Sequence, residues 1–406
     1  MYTVLRLVKQ AFIADNPEGH DERLPTPLLM EDKPITIEDV AQRAGVSIST
    51  VSNALNGRPE RMRKETLDRI ESVIAELGFQ PNRAARQLKT GHTPLLGLLI
   101  PSIENPSYGS LAHEIEIVAQ ERYGYRVLLG STYRNREKES NFFDDLLSHG
   151  VRGVIVISSL ADQSHVHAAV RRGLIAVSYD RRAPARHASP IDYVSMDNAN
   201  AARLAVEHLL ASGHTRLALV TASGRTLSRT EKINGFLSAV RSAGAGRIAK
   251  VLERKAQSAF GDAEMAELGR ALAGDIAKSR PRPTGIVAIN DMLAIGLIAG
   301  LRDYDIHVPD EVSVIGMDDL ALSALVSPAV TSVRLPLAAM ARTMVDRIIS
   351  RLGDPKIPTG EFLFQPTLVA RESVGSQSGH PDRSPVHTQP RTRTNKDAAA
   401  RRSRSS

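Results

Sequence analysis

Between Thr36 and Gly91 apolar residues recur at three- and four-residue spacing in short, punctuated runs. Thr36 and Asp39 have the form of a capping pair, opening a helix with Ile37, Val40, Ala41 and Ala44 on one face and Gly45 as its stop. Ser47 can cap a second helix, carrying Val51, Ala54 and Leu55, that ends at Asn56-Gly57. In a third, from about Lys64 to Leu77, residues Leu67, Ile70, Val73, Ile74 and Leu77 form a stripe that ends before Gly78. Three short helices with Ala44-Gly45-Val46 between the first two predict a helix-turn-helix, although a small bundle used for packing or dimerisation has the same spacing. From Leu95 to Arg371 the pattern changes to β-rich apolar runs alternating with amphipathic helices. The runs include 95–100, 125–129, 154–157, 175–179, 216–220, 286–289 and 312–316. Near-continuous Val, Ile, Leu and Ala in such runs suit parallel strands covered on both faces by helices. The expected fold is an all-α head followed by a doubly wound α/β core, long enough for two lobes with a cleft between them.

Composition narrows the function. The chain has 406 residues, 42% hydrophobic and 24% charged, with no apolar stretch of the roughly 20 residues a membrane helix needs. Residues 1–33 carry charges and prolines where an export signal would be apolar, and read as a disordered extension; Met30 stands close to the first helix signal, leaving open whether translation starts there or at Met1. With no cysteine there is no disulfide framework or thiolate site, and a cytoplasmic location is expected. Net charge is +7, and residues 375–406 alone carry seven basic against two acidic residues. The segment 373–406, rich in Ser, Thr, Gln, Pro and Arg, is expected to be a disordered basic tail.

The string from Ile37 to Gly57, IEDVAQRAGVSISTVSNALNG, resembles the DNA-binding head of the LacI/GalR (lactose repressor and purine repressor) family. Similar family-like stretches follow in order at Pro81 to Lys89, Asn105-Pro106, Gly213-His214, Ile289-Asn290-Asp291, Val314 to Asp319 and Pro328 to Val333. The resemblance implies a transcription regulator, a repressor by expectation, acting as a homodimer on a palindromic operator, with a tetramer left open. Its parts would be a helix-turn-helix domain at 34–80, a hinge helix and linker at 81–92, and a periplasmic-binding-protein-like effector core at 93–372. The lobes would be discontinuous: 93–192 with 334–353 nearer DNA, and 193–333 with 361–372 farther away.

On this resemblance the second helix reads the major groove. Ile48, Ser49 and Asn53 would face base edges, Ser47, Thr50 and Ser52 have hydroxyls suited to phosphates, and Asn56 completes the interface. Asn53 stands where the family frequently has Arg, which favours adenine over guanine, unless it only caps or touches a phosphate. From Lys33 to Lys89 ten basic residues face seven acidic ones, a modest excess that calls for a symmetric pair of heads. Asn82 would cap the hinge, with Leu88 as an apolar wedge in the minor groove, Ala85 allowing close approach and Lys89 meeting the backbone; a core leucine covering the junction is the plainer role for Leu88.

Polar residues at strand ends are the effector candidates, because open α/β sheets bind ligands there. By resemblance these are Asn105, Tyr108, Asp180 with Arg181, Asn290 and Asp318. Carboxylates and amides beside Tyr suit a sugar or sugar derivative, whose hydroxyls both donate and accept, while helix capping and turn formation account equally well for Asn290-Asp291 and Asp318-Asp319. Lys232 replaces the family's usual Arg, with Arg229 one turn upstream as a substitute. No enzyme, cofactor or metal is expected: His113-Glu114 lacks a partner histidine at 117, and His165 with His167 makes a poor metal cluster. A sugar receptor without a DNA role is the rival reading, opposed by the capped reading helix and the hinge.

Overall fold

The computed structural model describes residues 35–55, 62–79, 93–158, 160, 162–184, 189–244, 246–256 and 264–377. The chain divides into two compact units, one within residues 1–90 and one within 91–406.

In the first unit, α1 (Ile37–Ala44), α2 (Ile48–Leu55) and α3 (Lys64–Leu77) follow the sequence pattern. The Thr36 N–H donates to Asp39 Oδ2 at 2.7 Å, and Thr36 Oγ1 accepts from the Asp39 N–H at 3.4 Å, a complete capping box. Gly45 (φ 63°) and Gly78 (φ 62°) end α1 and α3 in the left-handed conformation that a side chain would strain. Val40, Ala41, Ala44, Val51, Ile70, Val73 and Phe79 make the core, each large side chain worth about 1.5–3 kcal/mol on burial. The expected hinge, with Asn82, Ala85, Leu88 and Lys89, lies outside the described residues, as does Asn56.

The second unit contains two six-stranded sheets. The first comprises β1 (Leu95–Ile100), β2 (Arg126–Ser131), β3 (Gly153–Val156), β4 (Ile175–Tyr179), β5 (Asp192–Met196) and β11 (Glu361–Phe364), in the order β2-β1-β3-β4-β5-β11 and parallel throughout. In the second, β6 (Arg216–Ala222), β7 (Ile248–Arg254), β8 (Gly285–Ala288), β9 (Ser313–Asp318), β10 (Thr331–Arg334) and β12 (Thr367–Val369) run β7-β6-β8-β9-β10-β12, only β12 being antiparallel to its neighbour. Helices α4 (Pro106–Tyr123) and α11 (Leu337–Gly353) pack together in the first lobe, as do α5 (Arg136–Ser148) and α6 (Ser164–Arg171). In the second lobe α7 (Asn198–Ala211) pairs with α8 (Leu227–Ser242), and α9 (Met265–Lys278) with α10 (Asp291–Arg302). Each sheet reverses its strand order beside its first strand, and the loops leaving β1 and β6 open at these switch points.

Two boundaries differ from the expectation. Strand β5 belongs to the first sheet, so the chain crosses after Met196 rather than at 192, and 361–364 returns to that sheet before β12 joins the second. The buried Asp192 explains this. It accepts from Arg347 (2.9 Å) and Arg351 (2.8 Å) on α11 and from the Gly360 N–H (2.8 Å), tying β5 and the approach to β11 to one helix. The fold also runs past 372. Ser373 is fully buried, Gly375 N donates to Ser313 Oγ, and Gln377 N donates to Ser212 O, so 373–377 are part of the second lobe and not of a tail.

Candidate nucleic-acid interface and effector cleft

Helix α2 is short and polar because only one side of it packs. Val51 is buried, with Ala54 and Leu55 half-buried against the same core. Ser47 Oγ accepts from the Thr50 N–H (3.2 Å) and lies 2.8 Å from both the Ser49 and Thr50 hydroxyls, fixing the first turn. Ser49 is exposed, and Ile48 keeps 46% of its surface open, an unusual exposure for isoleucine on a capped helix. Ser52 and Asn53 are half-buried one turn on. Helical spacing places Ser49 and Asn53 on the side away from Val51 and Ser52 on its flank, and Ile48, three residues before Val51, adds an exposed apolar side chain at the start of the helix. This is a rigid polar surface with one apolar contact, suited to base edges and phosphates.

In the second unit a cavity of about 80 Å³ lies between the lobes at the carboxyl ends of both sheets. Seven of the eight sequence-predicted effector residues line it: Asn105, Tyr108, Asp180, Arg229, Lys232, Asn290 and Asp318. Arg181 does not. Its guanidinium donates to Leu160 O at 2.5 Å, because the left-handed backbone at Asp180 (φ 59°) turns the next residue away from the cleft.

Several lining residues also hold their own loops. Asn105 caps α4 by accepting from the Ser107 N–H (3.1 Å), and Asn290 caps α10 by accepting from the Leu293 N–H (2.9 Å). Asp291, beside it, is structural: its carboxylate accepts from the Leu320 N–H (2.8 Å) and from the Ser323 (2.6 Å) and Ser332 (2.5 Å) hydroxyls. Arg229 donates to the Gly224 carbonyl and braces the loop after β6. Asp319 binds Arg334 (2.5 Å) and Arg371 rather than the cavity.

Asp318 is strongly perturbed. Its carboxyl sits deep among protein atoms, although part of the residue opens on the cleft, and burial lifts it to about 8. The negative charges of Asp291 and Asp180 add to the lift, while Lys232 and a hydrogen bond from the Ser107 hydroxyl oppose it. Burial likewise keeps the Tyr179 phenol neutral.

The sequence reading missed Arg134, Asn198, Thr226 and Ser228, which also line the cavity. Arg134 Nη2 donates to the Tyr108 hydroxyl at 2.8 Å. Thr226 caps α8 by accepting from the Arg229 N–H (3.2 Å). Asn198 follows β5, whose Asp192 and Ser195 break the apolar run that would mark a strand, and Arg134 sits in an irregular turn that no periodicity marks. The donors and acceptors come from both lobes, an arrangement for gripping a small polar molecule. Among the described residues no group of three His, Cys, Asp or Glu side chains could hold a metal, and no helix is long and apolar enough to cross a membrane.

Comparison with known proteins agrees with this division. Residues 36–82 match the family model "Bacterial regulatory proteins, lacI family", and residues 206–374 match "Periplasmic binding protein-like domain". The HTH-type transcriptional regulator MalR of Streptomyces coelicolor is 32% identical over 350 residues, 84% of this chain and 97% of that protein. A solved structure of the Lac repressor bound to ONPG in the repressed state superposes with a TM-score of 0.72 at 25% identity, covering 84% of this chain and all of that one. A complex of the transcriptional regulator CelR with cellobiose gives 0.60 at 23%, covering 84% and 99%.

Proposed function

This chain belongs to the LacI family of bacterial regulatory proteins, and on that premise we propose that it is a homodimeric repressor whose affinity for a palindromic operator is set by a sugar or sugar derivative held between the lobes of its core. It is a DNA-binding transcriptional regulator and not an enzyme. The rival reading, a receptor without a DNA role, leaves the match over 36–82 without a purpose.

The observation that carries the effector reading is the cavity itself, where Asn105, Tyr108 and Asp180 of one lobe meet Arg229, Lys232, Asn290 and Asp318 of the other. A ligand gripped from both sides changes the lobe angle, more so because about 80 Å³ falls well short of the roughly 300 Å³ at the lower end of small-molecule sites. On the DNA side, Ser47, Ile48, Ser49, Thr50, Ser52, Asn53 and Asn56 would engage the major groove, and in a hinge capped by Asn82, Leu88 would enter the minor groove with Ala85 allowing close approach and Lys89 meeting the DNA backbone. CelR is bound to cellobiose in its structure, which favours a carbohydrate here.

The test is a melting screen of the full chain with D-galactose, maltose, cellobiose and D-ribose, followed by operator titration with any sugar that responds. A bound sugar at about 100 times its Kd adds about 2.7 kcal/mol. It should also change operator affinity by roughly 5- to 150-fold, the usual coupling range. A sugar that raises the melting temperature but leaves operator affinity unchanged refutes the switch.

A further inference from the structure

Asn198, the first residue of α7, stands where the chain first passes between the lobes, and it lines the cleft while only 1% exposed. Its Nδ2 donates to Asp180 Oδ1 at 3.1 Å and to Glu231 Oε2 at 3.0 Å, a carboxylate from each lobe. Both amide protons are thereby committed. The pairing also fixes the orientation of the amide, since a flipped side chain would set its oxygen against two carboxylates. Oδ1 is the atom left over, a buried acceptor with no hydrogen-bond partner in the structure. Buried acceptors in folded proteins are nearly always satisfied, and one without a protein partner at the wall of a ligand cleft marks a place for a donor from outside.

We propose that Asn198 reads the effector, its Oδ1 accepting a hydrogen bond from an O–H or N–H donor of the molecule in the cleft while its Nδ2 clasps both lobes. This rests on the reading of the cleft as the effector site and sharpens its chemistry. The occupant presents a donor at the lobe junction, as a sugar hydroxyl does; a carboxylate or phosphate placed there offers only acceptors and is rejected. Because the same amide bridges Asp180 and Glu231, the contact is made at the point where the lobe angle is set.

The experiment is a binding series on the full chain with D-galactose, maltose, cellobiose and D-ribose, each responding sugar then compared with its singly deoxygenated forms. Wild type should lose affinity when one particular hydroxyl is removed. Asn198→Ala should bind the parent sugar about 3- to 10-fold more weakly and be indifferent to loss of that same hydroxyl, while still sensing the others. A purely structural role predicts instead the same loss for the parent and every deoxy form, and that result, or unchanged affinity, overturns the proposal. Should the single variant unfold because Asp180 and Glu231 then face each other, Asn198→Ala combined with Glu231→Gln relieves the repulsion and is read in the same way. A wild type that answers none of the four sugars overturns the sugar reading and this inference together, whereas an Asn198→Ala protein that keeps full discrimination overturns this inference alone.

Discussion

Asp318 ends β9 in the left-handed region (φ 129°), as does Asp319 after it (φ 55°), and such backbone in non-glycine residues costs on the order of 1–3 kcal/mol each. The strained carboxyl is held neutral: burial first, then Asp291 and Asp180, raise it to about 8 against the pull of Lys232 and Ser107. A neutral acid both donates and accepts, matching a hydroxyl. Between about pH 4 and about pH 8 the unfolded chain has released this proton while the folded chain keeps it, so stability falls as pH rises through that window and levels off above it. Asp318→Asn keeps the neutral shape without the titration. Relative to wild type it should gain nothing near pH 4 and an increasing margin, reaching a few kcal/mol, towards about pH 8; urea unfolding at three pH values measures this, and a pH-independent difference would show that desolvation of the carboxylate is not the cause. Asp318 and Asp180 were legible in the sequence through the family resemblance, which singled them out among the polar residues that end apolar strand runs. Arg134 was not, because it follows Tyr133 (φ 53°) in a turn with two consecutive left-handed residues (Arg134 φ 56°) that sequence spacing does not reveal.

At the scale of elements, α9 and α10 approach backbone to backbone. A Cβ added at Gly296 would lie 1.9 Å from Ala266 O, one at Gly269 2.2 Å from Leu293 O, and one at Gly300 2.6 Å from Arg270 O. Backbone atoms cannot yield as a side-chain tip can, so Gly296→Ala must push the helices apart and loosen the layer formed by Leu268, Leu272, Leu293 and Leu297. Overpacking of this kind typically costs about 1–3 kcal/mol, more where nothing gives way, and outweighs the roughly 1 kcal/mol that alanine gains in helix propensity. A melting temperature at or above wild type would mean that the seam is looser than its geometry indicates. The capped helices of the first unit and the seven apolar runs of the core were readable from pattern alone. The strands that escaped notice share a physical reason: β5 carries the buried Asp192 and Ser195, β7 has no fully buried position and lies at a sheet edge, and β10, β11 and β12 are short and partly polar, so none shows the continuous apolar run of the other strands.

At the scale of the whole molecule, the chain returns to the first sheet at β11, crosses to the second at β12, and then straps 373–377, the last of the described residues, along the second lobe. Composition concealed this strap, since Ser, Gly and Gln look like the beginning of a tail, but its contacts are backbone and hydroxyl groups that hydrophobic patterning does not register. Ser373 Oγ accepts from the Thr331 N–H (2.8 Å) and donates to Val314 O (2.5 Å), and Val314 N donates to Ser373 O (2.9 Å), joining the strap to β9 and β10. His214, nearly fully buried, lies 3.1 Å from both the Thr284 hydroxyl and Gly375 O, and burial lowers its pKa to about 4. Ending the chain after Glu372 therefore strips partners from the Thr331 and Val314 amides and from His214 at once, whereas ending it after Gln377 leaves every one of these bonds in place. Buried polar groups left unmet cost about 1–3 kcal/mol each, partly recovered if water reaches them, so the shorter chain should be destabilised by about 3–5 kcal/mol relative to the longer. The His214 ring sharpens the comparison. In the longer chain its depressed pKa means that stability is present above about pH 6.5 and is lost as pH falls towards about 4, because only the unfolded chain takes up that proton readily. Removing the strap exposes the ring to water and relaxes the burial that depresses it, so the shorter chain should lose less stability over the same acid range. Denaturant unfolding of the two chains at about pH 7 and about pH 5 checks both effects. Equal stability at neutral pH would mean that the strap is dispensable, and a larger acid loss in the shorter chain would mean that 373–377 does not bury His214.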